Sequence, residues 1–143
     1  MKLKDIVTQE FGLIIGRDAI EIKKIETINP RKIEAVMSIS KDLCSIKPNV
    51  VSDFFFVKFI FDGVIMFNLR LDEIRGDLSD EEFDMYANSD SESAIEEIEN
   101  SKIVEKNNGL NGFNHLKHLL INAYDYDIEV VCSSFDMQMV SNV

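Results

Sequence analysis

Carboxylates are the chemically active groups that this sequence gathers most closely in one place. Of its 26 acidic residues, twelve lie between residues 72 and 100, beside a single base, Arg75. The rest of the 143-residue chain has equal numbers of acidic and basic residues, so the formal charge of −11 belongs to this acidic segment. A field of one sign attracts cationic partners and repels nucleic acids and anionic membranes.

Docking on a cationic protein surface is the chemistry that these carboxylates favour, because they can occupy the places of phosphates in a nucleic-acid-binding cleft. Asp72 and Glu73 lie nearer to a predicted strand and are interpreted as structural. The other ten are the predicted partner-binding residues: Asp77, Asp80, Glu81, Glu82, Asp84, Asp90, Glu92, Glu96, Glu97 and Glu99. The alternative is a solvated face that only keeps the domain soluble.

Part of the acidic segment also has the spacing of a calcium-binding loop. In a loop over 88–99, oxygen-bearing side chains fall at positions 1, 3, 5 and 12, namely Asn88, Asp90, Glu92 and Glu99. An EF-hand needs glycine at position 6, where this chain has Ser93. Calcium binding through 88–99 is therefore kept as an alternative function.

The histidines and cysteines give weaker indications of a site. His115 and His118 are three residues apart on a predicted helix, a spacing that can present two metal ligands. No third ligand lies nearby, so we interpret them as surface residues and predict neither a metal nor a cofactor. Cys44 and Cys132 have no basic neighbour in sequence, and we interpret both as reduced thiols.

Catalytic motifs are missing from the sequence. It has neither G-x-S-x-G nor a glycine-rich phosphate loop, and its bases form no nucleic-acid patch. Asp125 and Asp127 could act as an acid–base pair, although a turn at the end of a helix explains them more simply. We therefore predict a non-enzymatic protein. Without a signal peptide or an apolar run of about eighteen residues, it is expected in the cytoplasm and off the membrane.

The densest apolar run of the sequence, from Phe54 to Leu71, directly precedes the acidic segment and should position its carboxylates. It contains Asp62-Gly63, a dipeptide that suits a two-residue hairpin turn because both positions need a positive φ. The sequence therefore predicts paired antiparallel strands at 54–61 and 64–71. Both faces of this hairpin are mostly apolar, which indicates a central position with helices on one face and more chain on the other, or a partner on one face.

The remaining segments give a mixture of predicted helices and strands. Helices are predicted at 3–11 and 112–124, and strands at 19–28 and 128–133. Residues 31–45 fit a helix and a strand equally well, and 102–112 is predicted as a turn. Two capping boxes, beginning at Ser79 and Ser93, predict short helices over 80–87 and 93–100; a disordered acidic loop is the alternative.

Together these elements predict a single α+β domain over 1–143. Its central antiparallel sheet is built on the 54–71 hairpin and packed by a few helices, and the acidic segment at 72–100 is helical. The predicted oligomeric state is a monomer or a weak dimer.

With one small α+β domain, no signal, no active site and its acids gathered in 72–100, the chain resembles bacterial immunity proteins in overall profile. These are cytosolic antidotes to secreted toxins, as in contact-dependent inhibition or bacteriocin systems. The resemblance implies a basic partner, such as a nuclease toxin domain, and concerns no particular motif. An acidic adaptor or a subunit of a cytosolic complex is the alternative.

Overall fold

A computed structural model describes residues 10–71, 94–124 and 126–140, and 55% of the described chain lies in strands. The strands form two four-stranded antiparallel sheets. Besides the helical residues Glu10 and Phe11 and two short 3₁₀ turns, these ranges contain one α-helix, α1 (Lys102–Asn107). The protein is therefore an antiparallel β-sandwich over its described part.

Sheet I has the strand order β1–β2–β3–β8. Its strands are β1 (Ile20–Asn29), β2 (Lys32–Ser40), β3 (Phe54–Asp62) and β8 (Ser134–Val140). Sheet II has the order β4–β7–β6–β5. Its strands are β4 (Met66–Leu71), β5 (Ile95–Glu97), β6 (Lys117–Asn122) and β7 (Tyr126–Cys132).

One hydrophobic core lies between the inner faces of the two sheets. Sheet I contributes alternate residues of β2 and β3, including Met37 and Phe59, and sheet II contributes alternate residues of β6 and β7, including Leu119 and Val130. All four are fully buried. Side chains alternate between the faces of a strand, so these residues also fix which face of each strand points outward.

The prediction of an α+β fold packed by a few helices is wrong, because sheets cover sheets in this molecule. Residues 112–124, predicted as a helix, contain β6, and the predicted helix at 93–100 contains β5. Strand β6 is buried on both faces, so its apolar residues are continuous and resemble a helical stripe. The helix α1 lies in a stretch that was expected to be a turn, and the predicted helix at 80–87 lies outside the described residues.

The predicted 54–71 hairpin is also wrong, although both of its strands exist. Strand β3 pairs with β2 and β8, whereas β4 pairs with β7 in the other sheet. Residues 63–65 carry the chain from one sheet to the other, and Val64 and Ile65 donate backbone hydrogen bonds to Arg31 and Val131. The two halves of the apolar run thus bury their inner faces in different sheets, which explains why both faces of the imagined hairpin were apolar.

Gly63 is required at this crossover, and replacing it should destabilise the fold. Its φ is +62°, and an added Cβ would collide with the Ser133 hydroxyl and lie 2.9 Å from the Ser133 Cβ. We expect Gly63→Ala to lower the free energy of unfolding by about 1–2 kcal/mol from the left-handed backbone alone, with the collision adding to that loss. Urea denaturation measures it.

Gly109→Ala is the matched control for this prediction. Gly109 has a φ of +84° and no atom within 4 Å of an added Cβ, so it reports the backbone cost without the collision. Equal losses for the two variants would contradict the close approach of Gly63 to Ser133.

Candidate functional site

A chain of hydrogen-bonded polar side chains, three buried and two half-buried, crosses the outer face of sheet II. Its members are Asn68 and Arg70 on β4, Glu129 on β7, His118 on β6 and Ser101, the N-cap of α1. Ser101, His118 and Glu129 are 7%, 3% and 3% exposed. His118 and Glu129 lie on the face opposite to the core, because their strand neighbours Leu119, Ile128 and Val130 point inward. We call these five residues the polar chain.

Glu129 is the centre of the polar chain. Its Oε2 lies 2.8 Å from His118 Nε2, and its Oε1 accepts hydrogen bonds from Asn68 Nδ2 at 3.3 Å and from the Arg70 guanidinium at 3.4 Å. The register places Asn68 directly opposite Glu129. A carboxylate can accept several hydrogen bonds at once, so one side chain joins β4, β7 and β6.

His118 connects Glu129 to the start of α1. Its Nδ1 lies 2.7 Å from Ser101 Oγ, and that oxygen accepts the Val104 N–H at 3.3 Å. We assign the tautomer in which Nε2–H donates to the Glu129 carboxylate. Nδ1 then accepts a hydrogen bond from the Ser101 hydroxyl, so both ring nitrogens and the hydroxyl have partners. The chain therefore ties the first turn of the helix to the middle of sheet II.

Neighbouring donors keep Glu129 ionised despite its burial. Burial alone would raise the pKa of the Glu129 carboxyl, but hydrogen bonds from His118 and Asn68, together with the charge of Arg70, outweigh it and hold the pKa below its usual range. A carboxylate stabilised in this way favours the folded state only while it is ionised.

Serine, histidine and glutamate are also the residue types of a nucleophile, a base and an orienting acid. Ser101 and His118 line a cavity of about 240 Å³. The Ser101 oxygen, however, caps the helix by accepting the Val104 N–H, and the His118 ring is held between Ser101 and Glu129. The arrangement is therefore suited to holding α1 on sheet II.

The predicted partner-binding residues lie partly within the described chain. Glu96 and Glu97 belong to β5, an edge strand of sheet II, where they pair with Leu120 and Leu119, and Glu99 follows at an exposed position. The other seven lie outside the described residues: Asp77, Asp80, Glu81, Glu82, Asp84, Asp90 and Glu92.

The described residues on either side of 72–93 fix where the acidic segment leaves and rejoins the sandwich. The chain leaves β4 after Leu71, which pairs with Tyr126, and returns at Ala94, just before Ile95 pairs with Ile121. Both points lie at the same end of sheet II but on its opposite edges, about 14 Å apart for three strand spacings. The N–H of Ala94 donates to the carbonyl oxygen of Ile14 at 2.7 Å, which ties the return point to the body of the fold.

The remaining candidates occupy structural positions. His115 is exposed in a loop with a φ of 58°, so the two histidines do not share a helix face. Asp127 is buried on β7, while Asp125 lies outside the described residues. For the calcium loop at 88–99, residues 88–93 likewise lie outside; within the described part, no three possible metal ligands come together.

Both cysteines are buried free thiols. Burial raises the pKa of the Cys132 thiol to about 12 and raises that of Cys44 as well, so neither is an activated nucleophile.

Sequence reasoning missed the polar chain. It treated His118 as a surface residue of a helix and gave no role to Ser101, Asn68, Arg70 or Glu129. The signal was present in β4 and β7, where Asn68, Arg70 and Glu129 stand between apolar residues. A polar residue at such a position needs a partner when its face is buried.

Comparison of the chain with protein-family models, with characterised proteins and with solved structures finds no match. Within the described ranges, no helix has the length and hydrophobicity needed to span a bilayer.

Acid should weaken the fold through Glu129. Because its pKa is lower in the folded protein than in the unfolded chain, its contribution is present at pH 7 and is lost as the pH falls below about 4.5, the ordinary value, through the folded value. We expect the stability difference between the native protein and Glu129→Gln to shrink over that pH range. Urea denaturation at pH 7, 5 and 3 measures the difference, and a constant difference would contradict the prediction.

Proposed function

We propose that this protein is a non-enzymatic protein-binding domain whose acidic segment docks on a basic partner. The best candidate for that partner is a nuclease-like toxin, which the protein would neutralise as an immunity protein. The separation of charge within the molecule is the observation that carries the proposal.

Several carboxylates of the sandwich have cationic neighbours. Glu129 lies 3.4 Å from the Arg70 guanidinium, Glu34 lies 3.3 Å from the ammonium group of Lys58, and Glu21 lies 2.9 Å from that of Lys23. Residues 72–93, in contrast, carry nine acids and one base. Residues 72–93 thus hold −8 of the formal charge of −11, and the remaining residues, with 17 acids and 14 bases, hold −3.

The attachment of the acidic segment also supports docking. Its two ends join opposite edges of one sheet at the same end of that sheet, so both attachment points lie at one end of the sandwich. Attraction between an acidic surface and a basic partner can raise association rates to about 10⁸–10⁹ M⁻¹s⁻¹ at low salt. An inhibitor that must bind a toxin before the toxin acts needs such a rate.

Binding to basic nuclease domains encoded beside the gene tests the proposal. Surface plasmon resonance at about 50 mM and about 300 mM salt should show tight binding that weakens at least about tenfold with salt, mainly through a slower association rate. Absence of binding, or binding that salt does not change, would contradict the inhibitor hypothesis. A salt-sensitive complex with a non-toxic basic protein would instead identify the chain as an acidic adaptor.

Two sets of five neutralising substitutions show whether binding depends on charge in the acidic segment or only on the net charge of the protein. The first set replaces acids of the segment with amides: Asp80, Glu81, Glu82, Asp84 and Glu92. The control set does the same at exposed acids of the sandwich: Asp18, Glu21, Glu26, Asp42 and Asp53. Both sets change the net charge equally, so only the first should weaken binding, by about tenfold to a hundredfold. Equal weakening would contradict a localised docking site.

A further inference from the structure

Strand β8 forms an open edge of sheet I. It pairs with β3 on one side, and no strand of the described chain pairs with its other side. The Met137 N–H is taken by the carboxylate of its neighbour Asp136, at 2.8 Å, and therefore points away from β3. Backbone direction repeats every two residues, so the N–H and C=O groups of Phe135, Met137 and Met139 face this open edge.

The other edge strands are protected against pairing with another chain. Strand β1 has irregularities between Ile22 and Lys24 and between Thr27 and Asn29, and it carries four charged residues. Strand β5 has only three residues. Strand β4 leads directly into the acidic segment, whose charge repels a second copy. Strand β8 has seven residues, a regular register and one charge, Asp136.

We propose that β8 pairs antiparallel with β8 of a second copy of this chain, which joins the two copies of sheet I into one continuous sheet. A two-fold axis through Met137 sets the register. It places Phe135 opposite Met139 of the second copy and Asp136 opposite Gln138. No like charges lie directly opposite each other, so the strand is complementary to itself.

The side chains beside this edge favour the same pairing. Phe135, Met137 and Met139 lie on the core-facing side of β8, opposite the buried Phe61, Phe59 and Val57 of β3. Met139 is nevertheless 50% exposed, because no residue of the described ranges covers it at the edge. The second copy's Phe135 would cover Met139 and extend the core across the junction.

Charge makes this dimer weak and gives it a characteristic response to salt. Two chains that each carry a formal charge of −11 repel one another, and Asp136 must release the Met137 N–H before that group can bond across the edge. Added salt screens the repulsion. Salt therefore strengthens the dimer, whereas it weakens docking of the acidic segment on a basic partner, so each proposal can fail without the other.

Analytical ultracentrifugation of the full chain tests the dimer. Over about 10 µM to about 1 mM protein, the dimer fraction should rise with concentration, and it should rise further between about 50 and about 500 mM salt. A chain that stays monomeric over the whole range, or a dimer that salt dissociates, would overturn the proposal.

Two substitutions with opposite expected effects locate the contact. Met139→Lys places a charge at the apolar junction and should raise the dissociation constant at least about tenfold. Asp136→Asn removes the repelling carboxylate and should lower the constant. Ile28→Lys is the matched control, because Ile28 is 46% exposed on β1, at the other edge of the same sheet. If Ile28→Lys raised the dissociation constant of the dimer and Met139→Lys did not, pairing through β8 would be contradicted.

Disulfide cross-linking tests the register. Residues 137 of the two copies should lie about 5.5 Å apart between Cα atoms, within the range that a disulfide spans. Met137→Cys should therefore form a covalent dimer on mild oxidation, while Ile28→Cys should not. Cross-linking of both variants to the same extent would point to random collision and overturn the register.

Discussion

Replacing Glu129 with alanine is expected to lower the free energy of unfolding by about 3–5 kcal/mol, the usual cost of removing one member of a buried, hydrogen-bonded ion pair. The substitution removes the common acceptor of Asn68, Arg70 and His118. The Glu129 side chain is only 4% exposed, so water cannot readily replace it. Urea or thermal denaturation at pH 7 measures the loss.

Two further variants show whether the loss comes from the polar chain. Glu129→Gln keeps the shape and an acceptor oxygen but removes the charge, and should cost about 1.5–3 kcal/mol. Glu34→Ala breaks a single pair with Lys58, whose side chain is 32% exposed, and should cost no more than about 1 kcal/mol. If Glu34→Ala were as costly as Glu129→Ala, burial of the network would not be the cause.

Phe59→Ala is expected to destabilise the protein by a comparable amount, about 3–5 kcal/mol. Phe59 is fully buried at the centre of sheet I, where its ring lies 6.3 Å from that of Phe61 and 6.5 Å from that of Phe135. Truncation leaves a cavity between the two sheets that neighbouring strands cannot fill without breaking their ladders. Chemical denaturation of the variant checks the size of the loss.

Phe54→Ala is the natural comparison, because it removes the same side chain from the same strand. Phe54 points outward and is 56% exposed, so its removal should cost well under half as much as that of Phe59. Similar losses at the two positions would contradict the assignment of inner and outer faces to β3.

Local patterns in the sequence were sufficient to predict several strands. The β-branched residues of 19–28 indicated β1, and 128–133 indicated β7 with Ile128, Val130 and Cys132 on one face, as the structure confirms. For 31–45 the strand alternative was right, with Ala35, Met37 and Ile39 buried in β2.

The pairing of strands could not be predicted in the same way, because it depends on residues far apart in the chain. Asp62-Gly63 has the composition of a hairpin turn, yet Ser133 and Arg31 bond to this region and help turn it into a crossover. The polar chain depends on distant contacts as well: Asn68 meets Glu129 only because β4 pairs with β7. The spacing of residues within one segment does not indicate which distant segment that segment will contact.

The order of the strands has a consequence for synthesis on the ribosome. Strand β4 pairs with β7, and β3 pairs with β8, both of which lie in the last eighteen residues of the 143-residue chain. Strand β4 thus leaves the exit tunnel long before its partner β7 is translated, and the aromatic strand β3, although β2 precedes it, leaves long before its second partner β8. The nascent polypeptide must keep these strands apart from other unfinished chains, which makes early engagement by a chaperone advantageous.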